Sequence, residues 1–170
     1  MNRVVWVFGQ SAAGKETFIK YAVANQDSEL IRKLGYNNGK IIPLLGYKKE
    51  EILDVINKET NAVILIKWQH YNTGHDFAKS DLTELKDSIT DISNEIICLS
   101  VESDVLYARL KRKPWWKASD GFTQENQNDV VEIMRNNIKK YLTAGFKLAA
   151  EIDATDEYKI IESSLLNNIY

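Results

Sequence analysis

The five apolar residues Val4-Val5-Trp6-Val7-Phe8 run without a break into Gly9-Gln10-Ser11-Ala12-Ala13-Gly14-Lys15-Glu16-Thr17. This junction restricts the fold more than any other stretch of the chain. A short continuous apolar run reads as a strand buried on both faces. Two glycines with four residues between them let the backbone turn back sharply and approach an anion closely. The segment after Lys15 has helical period, with Phe18, Ile19, Ala22 and Val23 on one face. Strand, glycine-rich loop and helix together read as a phosphate loop. Its amides form a concave nest, backed by the positive end of the helix dipole. Lys15 stands where a lysine reaches the β- and γ-phosphates of a nucleoside triphosphate. Residues 9–17 (Gly9, Gln10, Ser11, Ala12, Ala13, Gly14, Lys15, Glu16 and Thr17) are therefore the expected phosphate-binding set. The usual motif places Ser or Thr directly after the lysine to hold Mg²⁺. Here that position is Glu16, and the hydroxyl comes one later, at Thr17. Thr17 is thus the expected hydroxyl contact and metal residue, and the Glu16 side chain is expected to turn away from the phosphates.

At 170 residues the chain reads as one domain with a full core. Its formal charge of −2 gives no global attraction to nucleic acid or to acidic membranes. The one cysteine, Cys98, lies in the apolar run Ile96-Ile97-Cys98-Leu99 and reads as a small core residue. No stretch approaches the ~20 apolar residues of a membrane-spanning helix. The N-terminal apolar run is too short for a signal peptide, so the expected location is cytoplasmic.

Further strands are expected at 40–44, 62–66, 95–101 and 148–153. Helices are expected at 48–58, 81–92, 103–112, 126–143 and 156–168, between and after the strands. This alternation implies an α/β fold: a parallel sheet with helices on both faces, and ligands at the carboxyl ends of the strands.

Three features resemble the small P-loop kinases, which include adenylate and other nucleoside monophosphate kinases. The loop GQSAAGKET is similar to that of adenylate kinases, where a non-hydroxyl residue also separates Lys from Thr. The stretch from Ile96 to Arg112 resembles the family's fourth strand and the helix entering its lid, where an Arg-x-x-Arg pair delivers cations to the phosphates. Glu151-Ile152-Asp153-Ala154-Thr155-Asp156 resembles the end of the fifth strand, beside the adenine ring. The resemblance implies a three-layer α/β/α sandwich with a five-stranded parallel sheet in the order 2-3-1-4-5 and a small lid at about residues 109–125. It implies ATP and Mg²⁺ as cofactors and transfer of the γ-phosphoryl group to a small acceptor such as a nucleotide or nucleoside. Lys15, Arg109 and Arg112 would be catalytic, and Asp153, Ala154 and Thr155 would border the base.

The physics of phosphoryl transfer agrees, since it needs positioning and charge more than covalent chemistry. Arg109 and Arg112 share a helix face at i and i+3, although a basic helix end favoured by the dipole has the same appearance. Pro114 ends that helix. Trp115 and Trp116 would close on a planar ligand or pack the lid against the body. The acceptor site is expected in residues 30–50 and 67–80, with Arg32, Tyr36, Asn37, Trp68 and Gln69 as binding residues. Arg32 and Arg135 are the clamps for an acceptor phosphate.

Other classes fit less well. Many P-loop enzymes end the third strand in an Asp that holds Mg²⁺ or acts as base. This strand ends Ile66-Lys67-Trp68-Gln69-His70, with no acid before Asp76. Either phosphates and water hold the metal, or turnover is poor. The latter keeps open a nucleotide-binding module with little or no catalysis. His70, His75 and Asp76 have no standard metal-site spacing. A GTPase would need an Asp-x-x-Gly switch, which is lacking, and Asn57-Lys58-Glu59-Thr60 lacks the base-reading Asp. No basic stripe with interleaved aromatics points to nucleic acid.

Overall fold

The structure, a computed structural model, describes residues 1–45, 49–68, 82–87, 92–117 and 123–167. The chain runs β1 (Asn2–Phe8), α1 (Lys15–Ala24), α2 (Glu29–Lys33), β2 (Lys40–Leu44), α3 (Lys49–Lys58) and β3 (Ala62–Lys67). It continues through α4 (Leu82–Asp87), β4 (Ile92–Ser100), α5 (Ser103–Lys111), α6 (Gln124–Thr143), β5 (Lys147–Asp153) and β6 (Lys159–Ile161), then a 3₁₀ turn at Ser164–Leu166. The strands form one mixed sheet in the order β2-β3-β1-β4-β5-β6.

β1 is central, parallel to β3 on one side and to β4 on the other. That explains its unbroken apolar run: both faces and both edges are covered. Val4, Trp6 and Phe8 point to one face and pack with Ile52 and Ile56 of α3 and Met134 and Ile138 of α6. Val5 and Val7 point to the other and pack with Phe18 and Ile19 of α1, Ile31 of α2 and Leu106 of α5. Full burial of such a side chain stabilises by roughly 1.5–3 kcal/mol. The one polar atom in this run's side chains, Trp6 Nε1, donates to buried Asn94 Oδ1 at 3.1 Å, so the indole is not buried at the cost of an unmade bond.

The sheet departs from the expected one in strand count and in its outer edge. Residues 156–168 carry apolar positions compatible with a helix, but Lys159–Ile161 pairs antiparallel with β5 as a sixth strand. The sheet is therefore six-stranded and mixed, not five-stranded and parallel, and its order carries β6 beyond β5. The β-branched pair Ile160-Ile161 suits a strand better than a helix. The helix expected over 81–92 is shorter, since Ile92 opens β4, and α2 is an added helix. α2 is capped by Ser28, whose side chain accepts from the Ile31 amide. Between β4 and β5 the register shifts: Ile96 pairs with Leu148 but Ile97 with Ala150. Ala149 is the extra residue of a bulge. The shift brings Glu151 opposite Cys98, on the α6 face. No described helix is long and apolar enough to cross a membrane.

Candidate phosphate-binding site

The loop leaves β1 at its carboxyl end and enters α1 through Gly14, whose φ is +91°. That left-handed angle favours glycine. Gly9 is closely packed instead. A Cβ there would lie 3.2 Å from both Ala13 Cβ and Lys15 Cγ, so these neighbours would have to give by a few tenths of an ångström. The Ala13 amide donates to the Gln10 carbonyl at 2.9 Å and closes the turn. Gln10 is buried and donates its side-chain amide to buried Gln127 of α6, which ties the loop to the sheet's far face. The N-cap of α1 is Gly14, which has no side chain to bond the first amides, so these amides and the dipole are directed at the space in front of the loop.

Lys15 folds back under the loop. Its Nζ donates to the Gly9 carbonyl at 2.6 Å, and the residue is only 6% exposed. Burial, and secondly the charge of Lys67, push its pKa down to about 7. The register that sets Lys67 beside Val7 brings the end of β3 against the loop. Lys67 Nζ lies 3.5 Å from Glu16 Oε2, and Lys20 Nζ lies 2.8 Å from Glu16 Oε1. These two cations, Lys20 foremost, hold the Glu16 carboxyl below its usual range. Glu16 thus borders the loop cavity with its carboxylate held by Lys20 and Lys67.

That cavity, of about 330 Å³, is bordered by Gln10 to Ala12, Gly14 to Thr17, four lysines in all (Lys15, Lys20, Lys67 and Lys113) and Trp115. Among the described residues of its wall, Glu16 is the single carboxylate. A second cavity of about 590 Å³ shares Ala12, Gly14, Thr17 and Lys113 with the first and extends to Arg109, Arg112, Pro114, Ala154 and Tyr158. The Tyr158 ring is held edge-on against Phe18, with centroids 5.3 Å apart. A third, larger cavity of about 770 Å³ lies beyond Tyr158, between α2 and β6. It mixes Glu29, Asp156 and Glu157 with Lys33 and Lys159, so acids outnumber lysines among these residues.

No protein-family model, curated protein or solved structure matches this chain.

The loop residues 9–17 stand together as expected, and Arg109 and Arg112 both border the second cavity. They differ in what they hold. Arg109 Nη2 donates to the carbonyls of Ala154 and Thr155, at 3.0 and 2.6 Å, and clasps the β5–β6 connection. Arg112 is the exposed C-cap of α5. Ala154 is buried and lines the cavity. Asp153 and Thr155 instead serve the turn. The Asp153 carboxylate accepts from the Thr155 amide at 3.0 Å, and Thr155 Oγ1 accepts from the Glu102 amide at 3.0 Å.

Several expected substrate residues lie elsewhere. Tyr36 is fully buried, with the Arg3 guanidinium 4.6 Å above its ring. Arg3 also donates to the Gly35 carbonyl at 2.7 Å, so this segment lies at the amino ends of the strands. The phosphate loop is at the other end of β1, roughly 17 Å away at about 3.3 Å per residue. Exposed Arg32 and Asn37 flank the same segment and line none of the three cavities. Trp68 is buried in the core, edge-on to Trp6 with centroids 5.4 Å apart. Arg135 is not a clamp in this structure. It pairs with buried Glu151 and donates to Ser164 Oγ at 2.8 Å. Gln69, with Tyr47, His70, Tyr71, Asn72, His75 and Asp76, lies outside the described residues. Of the expected lid, residues 109–111 belong to α5 and 124–125 to α6, while Lys113 to Trp115 border the cavities. Residues 118–122 are outside the described set.

Lys20, Lys113 and Tyr158 were absent from the expected site. Lys20 is one turn beyond Glu16 on α1 and was legible from that spacing alone. Tyr158 was hidden by reading its segment as a helix.

The described residues do not fit a protein-held Mg²⁺. That ion takes oxygen donors in near-octahedral geometry. The position after Lys15 offers a carboxylate already engaged by two ammonium groups, and β3 ends in Lys67, a donor with no acceptor atom. Thr17 offers one hydroxyl at the exposed start of α1. Among the described residues, no group of three His, Cys, Asp or Glu side chains is placed to hold a metal ion.

Proposed function

We propose that this chain binds a nucleoside triphosphate, ATP in the first instance, and transfers its γ-phosphoryl group to a small acceptor such as a nucleotide or nucleoside. One observation carries the reading. A helix N-terminus with Gly14 as its N-cap, behind a tight Gly9–Gly14 loop, faces a cavity walled by four lysines. Amides, dipole and ammonium groups converging on one space suit an anion with several charged oxygens. The adjoining cavity, between Arg112 and Tyr158, has room for a base and ribose. Exposed Arg112 would add charge as the transferring group loses its bond to the leaving oxygen. In this reading the fold is the three-layer sandwich of the small P-loop kinases, extended by β6.

A second reading, a nucleotide-binding module with little or no catalysis, is favoured by two placements. Arg109 is occupied by main-chain carbonyls, and β3 ends in Lys67 where such enzymes carry an acid. The two readings separate on ADP release from purified protein and ATP across nucleosides, nucleotides, sugars and 5′-hydroxyl oligonucleotides. Acceptor-dependent ADP supports the kinase. ATP binding without ADP release under any acceptor supports the module.

A further inference from the structure

The mismatch between the donor set and a divalent metal has a positive counterpart. Where small P-loop proteins gather oxygens around a cation, this chain has built in a cation of its own. Lys67 comes from the central part of the sheet, its backbone fixed by pairing to β1, so its ammonium is presented from a rigid strand end. Its side chain is about three-quarters buried, and it lines the loop cavity together with Lys15 and Glu16. Lys67 is close enough to Lys15 to disfavour the charge of Lys15. A doubly charged metal ion entering here would face the same ammonium, in a site where water is partly excluded. Glu16 does not offset this, because its carboxylate already pairs with Lys20.

We propose that the loop takes its nucleotide without a divalent metal, the Lys67 ammonium supplying the charge that a metal would otherwise bring to the β- and γ-phosphates. The inference rests on the nucleotide-binding reading above and holds for either of its forms. On binding, Lys67 exchanges its 3.5 Å contact with Glu16 for phosphate oxygens, and Glu16 keeps Lys20. No covalent bond changes. The preferred ligand is therefore the metal-free tetraanion of ATP.

The test is calorimetric titration of the full chain with ATP, once in EDTA and once in excess MgCl₂. Binding in EDTA that is equal to or tighter than binding in MgCl₂, within about threefold, supports the inference. Two variants sharpen it. Lys67→Met should weaken binding in EDTA by about tenfold or more. Lys67→Asp should weaken it further in EDTA, and MgCl₂ should restore part of the loss. Circular dichroism establishes that each variant is folded, and if neither folds the wild-type comparison decides alone. ATP binding that requires MgCl₂, or is strengthened about tenfold by it, overturns the inference and leaves the nucleotide reading intact. Absence of ATP binding in both buffers overturns the nucleotide reading as well.

Discussion

Lys15 shows what a phosphate site costs before its ligand arrives. Its ammonium sits under the loop against the Gly9 carbonyl, with burial opposing its charge. The unfolded chain would hold that proton up to the ordinary lysine pKa of about 10.4. Below pH 7 both states carry the charge and the full destabilisation stands. Between pH 7 and pH 10 the folded lysine loses its proton first, so this destabilisation fades as pH rises. Lys15→Met should therefore stabilise the nucleotide-free protein at pH 7 by about 2 kcal/mol, after allowing for the lost carbonyl bond. That corresponds to a Tm roughly 5 °C higher, a gap that should shrink by pH 10 in thermal melts. The same variant should bind ATP at least about tenfold more weakly by calorimetry. A second prediction at this scale concerns Glu151. Burial works against its carboxylate, but Arg135, Ser163 and Ser100 outweigh it and hold its pKa below the usual range. Arg135→Met strands that charge and should cost about 3 kcal/mol in urea unfolding, with Glu151→Gln in the same chain recovering much of it. Single residues were the least legible part of the chain. Tyr36 and Trp68 sit in segments that read as the acceptor site, and Arg135 reads as a phosphate clamp. Aromatic rings and guanidinium groups serve a core or a ligand equally well, and only the tertiary partners Arg3, Trp6 and Glu151 decide which.

Between elements, α5 and the β5–β6 connection are joined by one side chain. Arg109 donates to two successive carbonyls, and the Glu102 amide donates back to Thr155. Removing Arg109 should loosen residues 154–158, which wall the second cavity. Arg109→Ala is expected to destabilise by about 1 kcal/mol, since the group is partly exposed, and to raise hydrogen exchange at Ala154 and its neighbours. Arg112→Ala, at the exposed end of the same helix, should leave Tm within about 1 °C. If the kinase reading is right, it should lower kcat much more than ATP affinity. Elements with strong signals were legible: the buried run of β1, the glycine loop, and the long amphipathic α6. β6 was not, because three residues carry too short a pattern to fix a period and its partner β5 lies earlier in the chain. The lid was read from Pro114 and paired tryptophans. The described part of that stretch holds a turn, Lys113 N to Leu110 O and Trp116 N to Lys113 O, leading off α5.

Over the whole molecule, the net charge of −2 hides a strong local asymmetry. Four lysines face one cavity of a chain that is acidic on balance. An anionic ligand should be drawn to that mouth from a distance, and salt should screen the attraction. Raising KCl from about 50 to about 500 mM should slow ATP association on the order of tenfold, read by stopped-flow fluorescence of Trp115 at the cavity wall. The dissociation rate should change less. The strand order carries a consequence of another kind, for how the chain comes into being. β1 is made first yet lies in the middle, and its Arg3 is paired with Val63 on one side and Ser93 on the other. A chain emerging from the ribosome holds the complete glycine loop long before it holds anything to seat it against. The loop acquires its shape only when β3 and β4 have closed on β1, a late event built from contacts distant in sequence. Until then Val4 to Phe8 is an unpaired apolar strand, and its shelter during synthesis is a problem for the cell rather than for the fold.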